Sequence, residues 1–174
     1  MDKNKIHIDN SVYPGSIHCS EIFNVAVQMI DRHIFEGRAD KTVIQCVDGN
    51  KVSYRELQQR VNQCGNYLQA LGCVKGDRIL IVIKDCPEFL YIFWGAIKVG
   101  IIPVPINTIL RSKDYSYFIE NTQCKALFHS DIYTAEVLPA ILMANHKPTN
   151  VIAVDGKDES LLAVISQYSE QLDA

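Results

Sequence analysis

The sequence predicts an α/β fold: a doubly wound, mainly parallel sheet with helices on both faces. The first observation is the order of the predicted elements. Strand-like and helix-like stretches alternate from residue 42 onward, as they do where crossover helices join parallel strands. The second is the apolar run 79–83, which has no polar alternation and is typical of a strand covered on both faces. The third is the placement of Gly37 and Gly72 directly after predicted helices.

The N-terminal region differs from the rest of the chain. It is polar, contains Pro14-Gly15 and shows no sustained period. We therefore expect residues 1–20 to form an arm or irregular cover, and residues 21–174 to form the domain. Apolar residues then recur at helical spacing and predict a first helix over residues 24–36.

A hairpin and a long helix are predicted next. Residues 42–47 are rich in β-branched side chains, and the Asp-Gly pair at 48–49 is a typical two-residue hairpin turn before a short strand at 51–52. Ser53, followed three residues later by Glu56, matches a capping box and predicts that a helix begins there. The apolar stripe of that helix consists of Leu57, Val61, Cys64, Leu68 and Leu71.

The apolar stretch 89–106 has the length of a membrane span and contains one charge, Lys98. Pro103 and Pro105 lack backbone N–H groups and interrupt a continuous helix, so we predict no membrane span. The sequence instead predicts a buried helix, a turn and then a buried strand.

The buried helix is predicted to begin near Pro87, with Asp85 or Cys86 as its cap. A turn at Gly100 and a strand over 101–106 follow. The remaining predicted elements are a helix capped by Ser112 that reaches Asn121, a strand at 126–129, a helix at 135–145, a strand at 150–154 and a helix at 160–172.

Composition and charge exclude several classes of protein. Of 174 residues, 48% are hydrophobic and 21% are charged, as in a globular domain rather than a disordered or fibrous chain. Lys and Arg number 17 against 20 Asp and Glu, which gives a net charge of -3. We therefore predict no binding of nucleic acid through bulk positive charge.

The six cysteines lie singly along the chain, with no CxxC pair and no histidine at zinc-finger spacing. A chain of this size needs no disulfides for stability, so we expect reduced thiols and no structural metal site. Residues 6–10 do not form the apolar core of a signal peptide, and the expected location is therefore the cytoplasm.

In a doubly wound sheet, ligands bind beyond the carboxyl ends of the strands. His129 and Asp131 lie at such an end and could form an acid–base pair. Two such residues in a connecting loop are more often solvated or cap the next helix, and the local sequence favours this second interpretation. Asp85 could be a metal ligand or a phospho-acceptor, or it could cap the next helix. A metal or phospho-acceptor site would also need a pair of acidic residues after an earlier strand, and the sequence has none there, which favours the helix cap. No GxGxxG or GxSxG motif is present.

A polar loop follows the predicted strand 101–106. Asn107 and Thr108 supply hydrogen-bonding groups there, and Arg111 supplies a charge for an anionic ligand. The alternative is a connecting loop followed by a capped helix, and both interpretations stay open on local evidence.

Three ordered blocks of sequence stand out. They are VSYREL at 52–57, LGCVKGDRI at 71–79 and GAIKVGIIPVP at 95–105. Their order and spacing resemble the N-terminal subdomain of adenylate-forming enzymes, the acyl- and aryl-CoA synthetase family. Residues 36–41 and 105–110, with Asp114-Tyr115, most resemble the benzoate-CoA ligases of that family. The resemblance extends from about residue 23 to residue 155.

The resemblance implies a two-step ligase: ATP and a small carboxylic acid give an acyl-adenylate and pyrophosphate, and the thiol of CoA then displaces AMP. It implies ATP, Mg²⁺ and CoA for the parent enzyme and no cofactor held by this chain alone. Residues 21–174 then form a partial AMP-binding subdomain, because the family's phosphate loop, acyl pocket and mobile domain lie downstream. We therefore expect the chain to be an inactive fragment without catalytic residues or metal ligands, partnered by the remaining subdomains.

In the family, the loop after the strand at 103–105 approaches the CoA side of the site. The resemblance therefore makes Asn107, Thr108 and Arg111 the candidate cofactor-binding positions of this chain. A second hypothesis, from another class, is a free-standing α/β interaction module derived from a truncated ligase. It predicts an exposed apolar patch, because the face that normally meets the other subdomains is left bare.

Overall fold

The computed structural model describes residues 4–156 and 160–173. In chain order, the first elements are β1 (Ile6–Asp9), β2 (Ser16–Cys19), a π-helical stretch (Val27–Asp31), α1 (Arg32–Phe35), β3 (Thr42–Gln45), β4 (Lys51–Ser53) and α2 (Tyr54–Ala70). The later elements are β5 (Arg78–Val82), α3 (Pro87–Lys98), β6 (Ile102–Pro105), α4 (Ser112–Thr122), β7 (Ala126–His129), a 3₁₀ turn (Asp131–Tyr133), α5 (Thr134–Met143), β8 (Asn150–Ala153) and α6 (Leu161–Ile165).

The main sheet has four parallel strands in the order β6-β5-β7-β8. Ile81 of β5 lies opposite Pro105 on one side and Phe128 on the other. The chain passes from β5 to β6 through α3 and then returns past β5 to β7 through α4, so the strand order reverses between β5 and β7. The predicted α/β fold with a doubly wound, mainly parallel sheet is confirmed.

Successive residues of β5 face opposite sides of this sheet. Ile79 and Ile81 pack into a cluster with α2 and α3, whereas Leu80 and Val82 pack with α4 and α5. All four side chains are at most 1% exposed. Burial on both faces therefore accounts for the continuous apolar run, and each such side chain stabilises the fold by about 1.5–3 kcal/mol.

Most of the other predicted elements are confirmed within a few residues. The first helix also forms, but its first half is the π-helical stretch, in which Ile30 and Asp31 are both buried. Cys86 occupies the N-cap position of α3. Among the described residues, no helix combines the length and the hydrophobicity of a bilayer span.

The β3–β4 hairpin is confirmed, but its turn has three residues rather than two. Cys46 N–H donates to Asn50 O at 2.8 Å, and Gly49 has a φ of +92°, the left-handed conformation that closes such a turn. Ser53 Oγ accepts a hydrogen bond from Glu56 N–H at 3.2 Å, which confirms the predicted start of α2.

Residues 1–20 were predicted to be an arm or an irregular cover, and the irregular alternative is wrong where the structure describes them. β1 and β2 form an antiparallel hairpin that pairs Ile6 with Cys19 and Ile8 with Ile17. The side chains of this hairpin are mostly exposed, and its strands have only four residues each. A short hairpin without a buried face leaves little hydrophobic pattern in the sequence.

The predicted helix over 160–172 is wrong beyond Ile165, where α6 ends. Residues 166–173, which we call the strap, instead lie along α2. Side-chain amides of α2 donate hydrogen bonds to the carbonyl groups of the strap, and these bonds replace the ones that a longer helix would make.

Candidate functional site

The carboxyl ends of the four parallel strands lie at one edge of the main sheet, where doubly wound folds bind ligands. The polar residues that follow these strands are Lys84 and Asp85 after β5, Asn107 and Thr108 after β6, Ser130 and Asp131 after β7, and Asp155 after β8. The topology therefore places the candidate ligand-binding site at this edge.

Between β5 and β7, where the strand order reverses, the sheet edge is closed. Ser130 N–H donates to Val82 O at 3.0 Å, and Lys84 N–H donates to Ser130 Oγ at 3.1 Å. Ser130 is fully buried. The Ser130 hydroxyl group thus occupies the position at which proteins of related topology often bind ligands.

An ion pair crosses this closed edge. Lys84 Nζ lies 2.6 Å from Asp155 Oδ2, and Asp155 Oδ1 accepts the N–H of Asp131 at 2.6 Å. The hydrogen bond to Asp155 raises the pKa of Lys84. Partial burial acts to raise the pKa of Asp155, but the hydrogen bonds from Lys84 and from Asp131 N–H outweigh it and lower that pKa.

An open cleft of about 440 Å³ lies beside this pair, at the ends of β5 and β6. Asn107 and Thr108 both line it, so the structure brings these two sequence-predicted residues together. Asn107 also shapes its own loop, because its Oδ1 accepts Ile109 N–H at 3.1 Å and its carbonyl oxygen accepts Tyr115 OH at 3.2 Å. The other lining residues are Ile83, Lys84, Asp85, Phe89, Ile106 and Tyr133.

The third predicted site residue, Arg111, does not join this cleft. Its Nη1 donates to Glu136 Oε1 of α5 at 3.1 Å, and its side chain is 80% exposed. Ser112 is not the predicted helix cap, because Arg111 occupies the N-cap position and Ser112 donates from Oγ and N to Glu136. Hydrogen bonds from Ser112, and then from Arg111, lower the pKa of Glu136.

The chemistry of the cleft does not fit ATP phosphates or Mg²⁺. Its cation is Lys84, which Asp155 neutralises, and Asp85 adds a carboxylate without a cationic partner among the described residues. Phosphates require cations or a dense set of N–H donors. In residues 4–156 and 160–173, no group of three or more metal-ligating side chains occurs. Apart from the Asp85 carboxylate, the cleft therefore offers neutral hydrogen-bonding groups to a polar ligand.

His129 and Asp131 do not form an acid–base pair. His129 is 4% exposed, and its Nδ1 lies 3.1 Å from the carbonyl oxygen of Ser130. The exposed Asp131 accepts a hydrogen bond from Thr134 Oγ1 at 3.3 Å and so stabilises the start of α5. The solvated or helix-capping interpretation therefore fits Asp131 and is wrong for His129, which is a buried residue of β7.

A second cavity, of about 610 Å³, lies between the β3–β4 hairpin and the start of α3. Its lining is mainly apolar and includes Cys46 and Cys86. Burial, with a smaller contribution from Glu88, raises the pKa of the Cys86 thiol to about 12. A thiol that stays protonated at neutral pH is a poor nucleophile, and all six cysteines of the chain are free.

One charged cluster was not predicted from the sequence. Asp31, Asn62 and Lys98 meet in the interior, where the ammonium group of Lys98 contacts both other side chains. The available signal was the single lysine in the otherwise apolar stretch 89–106, since lysine is almost never fully buried without a partner.

The doubly wound domain has the fold found in solved acyl- and aryl-CoA ligases. The solved structure of a benzoate CoA ligase from Burkholderia xenovorans LB400 matches with a TM-score of 0.77 and 27% identity, over 88% of this chain and 30% of that chain. A Mycobacterium tuberculosis fatty acyl CoA synthetase matches with a TM-score of 0.74 and 25% identity, over 87% of this chain and 30% of that one.

Sequence similarity then identifies the family. The chain belongs to the AMP-binding enzyme family, whose model matches residues 31–173. It is 35% identical to a benzoate–CoA ligase of Thauera aromatica over 95% of this chain and 32% of that protein. It is 39% identical to a 4-hydroxybenzoate–CoA/benzoate–CoA ligase of Rhodopseudomonas palustris over 68% of this chain and 21% of that protein. The chain thus spans about a third or less of the length of these relatives.

Proposed function

We propose that this chain is the N-terminal portion of an ATP-dependent carboxylate–CoA ligase that acts on an aromatic acid of the benzoate type. The observation that carries the proposal is the agreement of two comparisons, since benzoate–CoA ligases resemble this chain over 95% of its sequence and 88% of its structure. In this proposal the whole polypeptide adenylates the acid with ATP and then transfers the acyl group to CoA, in the cytoplasm.

The chain itself acts as a scaffold in this proposal. Asn107 and Thr108 face CoA from the cleft, whereas Arg111 contributes only after it leaves Glu136. The groups that bind ATP, Mg²⁺ and the aromatic ring come from the rest of the polypeptide, because the cleft has no unpaired cation among the described residues. The isolated chain is therefore inactive.

The test is pyrophosphate exchange into ATP with a panel of acids. We expect exchange by the full-length polypeptide with benzoate and hydroxybenzoates, weaker exchange with aliphatic acids, and none by the isolated chain. Exchange by the pure isolated chain overturns the fragment part of the proposal, and a preference for aliphatic acids overturns the aromatic part.

One observation also favours the second hypothesis, a free-standing module that pairs with an intact ligase. The outer face of α5 exposes Leu138, Leu142 and Met143, of which Leu142 is 79% exposed. Exposed apolar faces of this kind mark interaction surfaces. Sedimentation of the isolated chain with a purified benzoate–CoA ligase separates the hypotheses, because the module predicts a stoichiometric complex and the fragment does not.

A further inference from the structure

A buried ion pair joins the first helix to α3. Lys98 Nζ donates to the two carboxylate oxygens of Asp31 at 2.9 and 2.7 Å, and its third hydrogen bond goes to Asn62 Oδ1 at 2.8 Å. The side chain of Lys98 is 3% exposed and that of Asp31 is 9% exposed. Gln58 Nε2 adds a hydrogen bond to Asp31 at 2.8 Å. The ammonium group thus uses all three of its N–H bonds, away from the cleft at the sheet edge.

The ion pair determines the orientation of the Asn62 amide. Lys98 has three donors and no acceptor, so only the Oδ1 atom of Asn62 can face it. The Nδ2 group must point the other way, and it donates to the carbonyl oxygen of Glu170 in the strap at 2.7 Å. Asn62 is 5% exposed, so bulk water has little access to replace either partner.

The strap is fixed at several further points along α2. Gly65 makes room for it, because a Cβ atom at that position would overlap the side chain of Leu172. The ring of Tyr168 packs at 5.4 Å from that of Tyr67. The other hydrogen bonds between side-chain amides of α2 and carbonyl groups of the strap are Gln63 Nε2 to Tyr168 O at 3.3 Å, Asn66 Nδ2 to Ser169 O at 2.8 Å and Asn66 Nδ2 to Gln171 O at 3.0 Å.

We propose that the buried Asp31–Lys98 pair controls docking of the strap through the amide of Asn62, and so fixes the path of the polypeptide after α6. A buried ion pair is a weak source of stability, since apolar side chains of similar size often serve as well. What this pair adds is orientation: it makes one side of the Asn62 amide an acceptor site and leaves the other side free to donate to the strap. The proposal concerns the described chain and is independent of the proposed ligase activity.

The test measures release of the strap from the whole chain, as cleavage after Tyr168 by chymotrypsin followed by intact-mass spectrometry. Cleavage requires an undocked segment, so its rate reports the population of the released strap. Asn62→Asp keeps an oxygen for Lys98 but removes the donor to Glu170 O. We expect about tenfold faster cleavage from the loss of that buried hydrogen bond, with the fold intact by circular dichroism.

Asn66→Asp is the matched control, because it removes donors to the strap at a position without contact to Lys98. Both changes are also made in an Asp31→Val/Lys98→Met background, in which apolar side chains replace the ion pair. There we expect cleavage that is already several-fold faster, a smaller added effect of Asn62→Asp and an undiminished effect of Asn66→Asp.

Two results overturn the proposal. One is cleavage of the Asn62→Asp chain at the parent rate. The other is an Asn62→Asp effect of equal size in both backgrounds, which means that the ion pair and the strap are uncoupled. If the Asp31→Val/Lys98→Met chain does not fold, Asp31→Asn/Lys98→Gln supplies the second background, because an amide in place of the ammonium group no longer requires the Oδ1 atom of Asn62 to face it.

Discussion

Lys98 is the cation of the largely apolar helix α3, and its partner Asp31 is nearly as buried. Lys98→Met removes the cation and leaves an uncompensated carboxylate in the interior, which costs about 3–5 kcal/mol in comparable proteins. We expect a loss of that size in the free energy of unfolding by urea at pH 7. Lys113→Met, at an exposed position of α4, serves as the control and should change stability by less than about 0.5 kcal/mol. Equal effects of the two changes would contradict this prediction.

The partly exposed pair of Lys84 and Asp155 gives a pH-dependent prediction. The pKa of Asp155 lies below its ordinary value of 3.8, so its contribution to stability is present above that pH and is lost as pH falls through the lowered pKa. Asp155→Asn should therefore destabilise the chain at pH 7, by less than about 1 kcal/mol for a pair this exposed. Urea unfolding of the parent chain and the variant at a series of pH values measures this effect. A difference in unfolding free energy between them that grows on acidification would contradict the prediction.

The position of an individual residue was predictable where it depends on the adjacent strand. Asn107 and Thr108 lie two and three residues after the end of β6, so the strand alone places them at the cleft. Arg111 depends on a contact with Glu136, which lies 25 residues away in sequence. The Asp31–Lys98 pair is separated by 67 residues. Such long-range contacts leave no local periodicity from which to predict them.

At the scale of elements, the contact between α2 and α3 depends on Gly95. A Cβ atom there would lie 2.9 Å from Val61 O and 2.8 Å from Cys64 Cβ, both on the facing helix. Gly95→Ala should destabilise the chain by about 1–3 kcal/mol, as overpacking does. In an uncrowded helix the same change stabilises by about 0.5–1 kcal/mol. The free energy of unfolding by urea distinguishes the two cases, because its change has opposite signs in them. A stabilised Gly95→Ala variant would contradict the close packing of the two helices.

Elements that bury a regular face were predicted well, and elements held by side-chain hydrogen bonds were not. β5 and α2 have strong apolar patterns, and both were predicted at their observed positions. The strap has a sequence compatible with a helix, but the amides of α2 bind its carbonyl groups in another conformation. Tertiary contacts thus override local helix propensity in that segment.

At the scale of the whole molecule, the outer face of α5 exposes several large apolar side chains. Because Leu138 and Leu142 are exposed on it, we expect the isolated chain to self-associate at high concentration. Leu138→Lys with Leu142→Lys should reduce that association without changing the far-ultraviolet circular dichroism spectrum. Sedimentation velocity over a concentration series provides the measurement, and unchanged association in the variant would place the contact elsewhere.

The fold of the whole domain was predictable because alternating strands and helices with one continuous central strand leave few alternative topologies. The site was predictable only in part, since the sheet edge carries Asn107 and Thr108 but no cluster of unpaired cations within the described residues. The curated relatives are about three times as long as this chain, which matches 32% of the Thauera aromatica ligase. Any part of a site that depends on side chains outside these residues is not predictable from this sequence.

The most direct test of the central claim, that this chain is part of an aryl-CoA ligase, is to capture the native polypeptide from the source cells with an antibody against it. Its intact mass is then measured, and it is assayed with benzoate, ATP, Mg²⁺ and CoA by mass spectrometry. We predict a polypeptide about three times as large as this chain that forms benzoyl-CoA and AMP in equal amounts. A native product that forms no acyl-CoA from any aromatic or aliphatic acid tested would contradict the account.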